Sequence, residues 1–166
     1  MRRVKLDRID LNILEDLQRN GRITNVELAR RAGISAPPCL RRVRALEQAG
    51  YIRNYHADLD AAALGFEVLF FALVGLDSQS EGVLIGFEKL IAGWPEVREC
   101  HMVRGPCDFL LKIVARNTAH ENELTTMLTS APHVAKVQTI PAIRTSKFRP
   151  GVPIGLTAAG QTAQQG

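Results

Sequence analysis

Two adjacent prolines, Pro37 and Pro38, stand directly ahead of the amphipathic run CLRRVRALEQAG at residues 39–50. Proline lacks a backbone N–H and its ring clashes with the preceding turn, so a proline pair is excluded from a helix interior. It is tolerated in the first turn, where N–H groups have no intrahelical acceptor. The pair therefore dictates where a helix begins. Ser35 is placed to cap it, Ala36, Pro37 and Pro38 form its first turn, and Gly50 ends it. Leu40, Val43 and Leu46, with Cys39 beside them, are expected to form the buried stripe. Pro38, Arg41 and Ala45 point away from that stripe, and Arg42 and Arg44 flank the outward face.

The segments upstream give this helix a partner. Asp7 is placed to cap a helix whose apolar positions Ile9, Ile13, Leu14 and Leu17 recur at spacings of three and four, and Asn20-Gly21 supplies a stop. Thr24-Asn25-Val26-Glu27 then reads as a capping box opening a short second helix with Val26, Leu28, Ala29 and Ala32 as its apolar residues. Gly33 sits where a C-terminal glycine belongs. A short helix joined by a tight glycine turn to a capped, arginine-bearing helix is a helix-turn-helix, here at about residues 24–46. The arginine fork suits guanine O6 and N7 in the major groove, or phosphate. After Gly50 the alternating segment YIRNYHADL, residues 51–59, predicts a short strand or wing that lays Arg53 and His56 against the DNA backbone. Charge follows the same division: residues 1–56 carry 12 Lys/Arg against 6 Asp/Glu, while residues 57–166 carry 9 against 11. A polyanion partner is implied for the first part only. The competing reading is a three-helix bundle with a solvated basic face. The residues expected to contact DNA are Arg22, Asn25, Ser35, Pro37, Pro38, Arg41, Arg42, Arg44 and Arg53.

From Glu67 the pattern changes. VLFFALVGL is a dense apolar strand of the kind buried on both faces or at a subunit boundary. Ser78 and Glu81 suggest a second capping box, opening a helix with Val83, Leu84, Phe87, Leu90 and Ile91 on one face. Strands at 97–103 and 109–115 follow, separated by the turn Arg104-Gly105-Pro106-Cys107-Asp108. Thr118 and Glu121 suggest a third box, ahead of a helix with Leu124, Met127, Leu128 and Ala131 inward, and a last strand covers about residues 134–144. The order βαββαβ predicts a ferredoxin-like sandwich with its last strand at an edge, where Pro141 loses no ladder partner. A strongly apolar sheet with an open edge also invites a second copy, so a homodimer is expected. The fold class is thus α+β, with a winged helix-turn-helix domain at 1–62, a ferredoxin-like dimerisation domain at 63–148, to which the resemblance named below adds effector binding, and a flexible tail at 149–166, rich in Gly, Ala, Gln and Thr.

Composition narrows the remaining classes. The longest apolar run is too short to span a bilayer, and the basic residues of MRRVKLDRID have no apolar segment behind them, so no membrane association and a cytoplasmic, nucleoid-associated location are expected. Cys39, Cys100 and Cys107 show no CxxC spacing, which implies reduced thiols and neither a zinc ribbon nor a resident cofactor. Cys100, His101, Cys107 and Asp108 invite an enzymatic reading, but neighbours on a strand point to opposite faces and no nucleophile, base and orienting acid share a recognised spacing. Catalysis is not expected. An alternative for the second half is metal or thiol-redox sensing through Cys100 and Cys107.

Four segments, LDRIDLNILEDLQRNGRITNVELARRAGIS, PCLRRVRALEQAGYIRNY, ECHMVRGPCDFLLKIVA and VAKVQTIPAI, match in order and spacing those of a known family. On these the chain resembles the leucine-responsive and asparagine-responsive (Lrp/AsnC, feast/famine) transcriptional regulators over about residues 5–147. The resemblance implies a winged helix-turn-helix on a βαββαβ domain that dimerises and builds octamers or larger rings. It further implies regulation of transcription by dimers on double-stranded DNA, with an amino acid effector bound between C-terminal domains. The effector residues it implies are Met102, Arg104, Gly105, Asp108, Gln138, Thr139 and Ile140. Pro106 and Cys107 depart from the acidic or small residue followed by an aromatic that the family often carries in this turn. Ile140-Pro141 departs from an aromatic or β-branched pair.

Overall fold

A computed structural model describes residues 5–154. The elements run α1 (Arg8–Arg19), α2 (Asn25–Ala32), α3 (Ala36–Gln48), β1 (Val68–Leu76), α4 (Glu81–Ala92), β2 (Val97–Met102), β3 (Phe109–Ala115), α5 (Thr118–Thr129) and β4 (Val134–Pro141). They fall into two units: one holds the chain up to Asp58 together with the segment from Lys147 onward, the other is Leu59–Ser146.

In the helical unit, α1 opens on a reciprocal capping box. Asp10 N–H donates to Asp7 Oδ1 (2.8 Å) and Asp7 N–H donates to Asp10 Oδ2 (3.1 Å). Ile13, Leu28, Ala29, Cys39 and Leu46 form the buried core, surrounded by partly buried Leu6, Ile9, Leu14, Leu17 and Val43. At α2, Thr24 Oγ1 accepts from Glu27 N–H (3.3 Å), but Glu27 turns its carboxylate to Arg30 and Arg31 instead of closing the expected box. Gly33 ends α2 in the left-handed region at φ 70, and Ile34 N–H returns to Ala29 O (3.0 Å), which sets the tight turn into α3. Ser35 occupies the cap position with an extended backbone, yet its hydroxyl makes no capping bond. The reason is the proline pair itself: a capping hydroxyl bonds the second or third N–H of the helix, and those positions are Pro37 and Pro38.

Two further segments of this unit differ in detail from the sequence reading. Residues 52–60 contain no strand. A strand needs a ladder partner, and the three helices offer no sheet edge; Tyr55 instead pins this segment by donating to Glu47 Oε1 (2.9 Å). The tail is not free over its described part. Gln18 Nε2 donates to Val152 O (2.8 Å) and Val152 N–H donates to Gln18 Oε1 (3.0 Å), so one side-chain amide holds a backbone unit from the far end of the chain. Gly151, at φ 83, sits in the left-handed region that favours glycine. The remainder of the expected flexible tail, 155–166, lies outside the described residues.

In the second unit an antiparallel sheet of order β2-β3-β1-β4 carries α4 and α5 on one face, the ferredoxin-like arrangement. Central β1 is buried asymmetrically. Phe70, Ala72, Val74 and Leu76 are buried against the helices with Phe109, Leu111 and Ile113 of β3, whereas Leu69, Phe71 and Leu73 face the other way and are half-buried. Phe87 of α4 meets Phe109 with ring centroids 4.8 Å apart, a favourable tilted pair. β4 is an edge strand, and Pro141 lies at its end opposite Phe70. The caps differ from those expected. Ser80, not Ser78, occupies the cap position of α4, without a side-chain capping bond, while Ser78 Oγ accepts from Ser80 N–H (3.2 Å). Asn117, not Thr118, caps α5, its Oδ1 accepting from His120 N–H (2.9 Å). Asparagine competes well with serine and threonine at this position because its carbonyl reaches the same orphan donors.

Candidate functional site

Helix α3 presents its outward stripe as Pro37, Leu40, Arg41, Arg44, Ala45 and Gln48, which line a shallow open groove. The opposite stripe is anchored by Cys39 and Leu46, both buried. Leu40, expected inside, belongs to the outward stripe and is 39% exposed.

Ion pairing sorts the arginines. Arg42 Nη1 bonds Asp7 Oδ2 (2.8 Å) and Asp10 Oδ1 (2.7 Å), fastening α3 to the start of α1. The backbone N–H of Asp10, together with Arg42, holds the Asp7 carboxyl below its usual range. The charge of Arg42 is thus matched within the unit. Arg30 and Arg31 are likewise spent on Glu27, whose carboxyl they lower to about 2. By contrast, Arg22, Arg41, Arg44 and Arg53 are exposed and make no side-chain ion pair among the described residues. Asn25 is half-buried, and its Nδ2 donates to Ala36 O (2.9 Å), strutting α2 against the start of α3. Pro38 is half-buried, whereas Ser35 and Pro37 stand exposed at the first turn. The pairing of Arg42 was hidden in the sequence because it joins residues 32 and 35 positions apart.

The turn between β2 and β3 bends at Gly105, whose φ of 143 disfavours other residues. Asp108 closes it. Its N–H donates to Val74 O (2.9 Å), its O accepts from Val103 N–H (2.9 Å), and its carboxylate accepts from Leu76 N–H (2.7 Å) and Gln79 Nε2 (3.3 Å). The carboxylate of Asp108, implied above as an effector residue, thus braces the turn against the end of β1. Strand parity divides the other expected effector residues. Gln138 lies opposite Leu73 and Ile140 opposite Phe71, on the outer sheet face, while Thr139 lies opposite buried Ala72 on the helix face. Met102, opposite buried Phe109, also belongs to the helix side, and Arg104 is exposed in the turn. A small pocket of about 40 Å³ gathers Leu73, Gly75, Pro106, Cys107, Lys136 and Gln138. Of these only Gln138 was expected; Lys136 was accessible by period-two reasoning from Gln138.

Beside this face, Glu99 bonds Lys112 Nζ (2.8 Å) and His101 Nε2 (3.1 Å), and Lys112 above all lowers its carboxyl. Cys100 is exposed, yet partial desolvation, reinforced by Glu88, pushes its thiol up, which opposes thiolate formation and does not favour the thiol-sensing alternative. Burial does the same to Cys39. No group of three or more metal-ligating side chains forms among the described residues, and no helix there is long and apolar enough to cross a membrane.

Comparison with known proteins bears on both units. The family described as winged helix-turn-helix DNA-binding matches residues 6–53, and that described as Lrp/AsnC ligand binding domain matches residues 69–152. The chain is 53% identical to a leucine-responsive regulatory protein of Rhizobium meliloti over 146 residues, covering 87% of this chain and 94% of that protein. It is 37% identical to the Bkd operon transcriptional regulator of Pseudomonas aeruginosa, covering 90% of this chain and 99% of the other. Among solved structures it resembles a Neisseria meningitidis transcriptional regulator in complex with L-Met, at TM-score 0.88 and 31% identity, covering 92% and 99% of the two chains. An AsnC family transcriptional regulator from Agrobacterium tumefaciens superposes with TM-score 0.86 at 28% identity, covering 91% and 99%.

Proposed function

The chain belongs to the Lrp/AsnC family of DNA-binding transcriptional regulators with an amino acid ligand-binding domain, and on that premise we propose how its residues divide the work. Arg41 and Arg44 are the DNA-reading arginines of α3, Arg22 and Arg53 hold the phosphate backbone, and Arg42 positions the helix without touching DNA. The observation that carries this is the ion-pair sorting: Arg42 is bound by Asp7 and Asp10, while Arg41 and Arg44 stand unpaired on the outward stripe. The protein works in the cytoplasm on the nucleoid.

The effector is an amino acid taken up near the Gly105 turn and the outer face of β4, with Gln138 and the unpaired Lys136 beside it. The outer sheet face, with Leu69, Phe71, Leu73, Leu110 and Val114 half-buried, is covered by a second copy, and dimers assemble into an octamer or other higher oligomer. The L-Met bound by the Neisseria protein motivates including methionine among the amino acids tried.

The test uses the full chain and duplexes that it selects from a random pool, with affinity followed against salt and against a panel of amino acids. Affinity should fall steeply as salt rises, and Arg41→Ala should cost about 1–3 kcal/mol. Arg42→Ala should instead lower thermal stability. Unchanged affinity in both Arg41→Ala and Arg44→Ala would overturn the assignment, and no response to any amino acid would overturn the effector reading.

A further inference from the structure

The outward stripe of α3 carries two chemistries in order along the helix. Arg41 and Arg44 occupy its middle, but its first turns present Pro37 and Leu40, with Ala45 further along. Cys39 has taken the buried position and turned Leu40 outward. The same first turn lacks two N–H groups, because Pro37 and Pro38 have none, and Ser35 offers no capping bond in their place. A helix start with its N–H groups intact grips phosphate through those donors. This one is depleted of donors and lined with hydrocarbon, so it is better matched to an apolar group than to an anion.

The N-terminal residues of a recognition helix are those that meet base edges, and the apolar group displayed in the major groove is the C5-methyl of thymine. We propose that Leu40, supported by Pro37, is a specificity-determining residue that reads a thymine methyl in each half-site, while Arg41 and Arg44 take the adjoining guanine or phosphate. The inference rests on the reading of α3 as the DNA-facing helix.

The experiment removes only the methyl. Full-length protein selects duplexes from a random pool, and each thymine of the recovered half-site is replaced singly by deoxyuridine. At one thymine per half-site the wild-type protein should lose about four-fold in affinity, equivalent to ~0.8 kcal/mol for one buried methyl-sized group. Leu40→Ala should show a comparable loss on the thymine duplex and become indifferent to deoxyuridine there. Arg41→Ala should bind more weakly yet keep the deoxyuridine effect. Because Leu40 is exposed, Leu40→Ala should retain the wild-type circular dichroism and melting temperature. The proposal is overturned if deoxyuridine is silent at every thymine, or if Leu40→Ala remains as sensitive to it as the wild type. Failure of the underlying reading looks different: no duplex is recovered at all, or Arg41→Ala and Arg44→Ala bind as the wild type does.

Discussion

The helical unit and the sheet unit are held together by different means. The helical unit has a small buried core, Ile13, Leu28, Ala29, Cys39 and Leu46, and adds polar fastenings: the Asp7–Asp10 box, the Arg42 clasp, the Glu27 pairs and the Asn25 strut. The sheet unit rests on a dense apolar layer from Phe70 to Leu128, with ion pairs such as Glu99–Lys112 and Asp77–His133 outside that layer. Apolar burial carries no charge for salt to screen or acid to titrate, whereas exposed ion pairs are screened and titrate. The DNA-binding half should therefore be the half whose stability follows salt and acid.

The largest effect that tests this contrast lies in the sheet. Phe109→Ala removes a fully buried ring packed on Phe87 and should cost about 3–5 kcal/mol, read by urea unfolding, with the helical unit's own transition unmoved. Next comes Arg41→Ala, with its loss of about 1–3 kcal/mol in DNA binding at unchanged melting temperature, set against Arg42→Ala, which should move the melting temperature. Asp7→Ala removes the cap of α1 and a partner of Arg42. About 1 kcal/mol should be lost from the helical unit alone, more at low salt than at high. Acid should give the smallest change. The Glu27 carboxyl is depressed from 4.5 to about 2, so its contribution is complete above pH 4.5 and disappears as pH falls toward about 2. A pH titration of helical ellipticity should show this loss in the wild type and not in Glu27→Gln. Equal acid sensitivity in the two proteins would break the contrast.

Sequence periodicity was enough for the βαββαβ order and for the three helices, because each element carries its own apolar stripe and a glycine or polar stop. What it could not resolve were choices made by distant residues. Cys39 and Leu40 are adjacent and both apolar, and only the position of α1 and α2 decides which is buried. Arg42 resembles Arg41 and Arg44 until Asp7 and Asp10 are brought beside it. The failed expectations at Ser35, Ser78 and Thr118 have local causes: two prolines without donors, and neighbours Ser80 and Asn117 that fit the cap position instead. The effector residues were legible as a region but not as a face, since Gln138, Thr139 and Ile140 alternate across the sheet.

The bracket between Gln18 and Val152 alters how the connectivity of the chain is understood. It joins residues 134 apart, so the sheet unit is an insertion within the helical unit rather than its appendage. Whatever is fused beyond Val152 is carried by the DNA-binding half, and a truncation made to trim the C-terminus removes a piece of that half. Both hydrogen bonds of the bracket rest on the one exposed side chain of Gln18, so a single Gln18→Ala substitution removes them together.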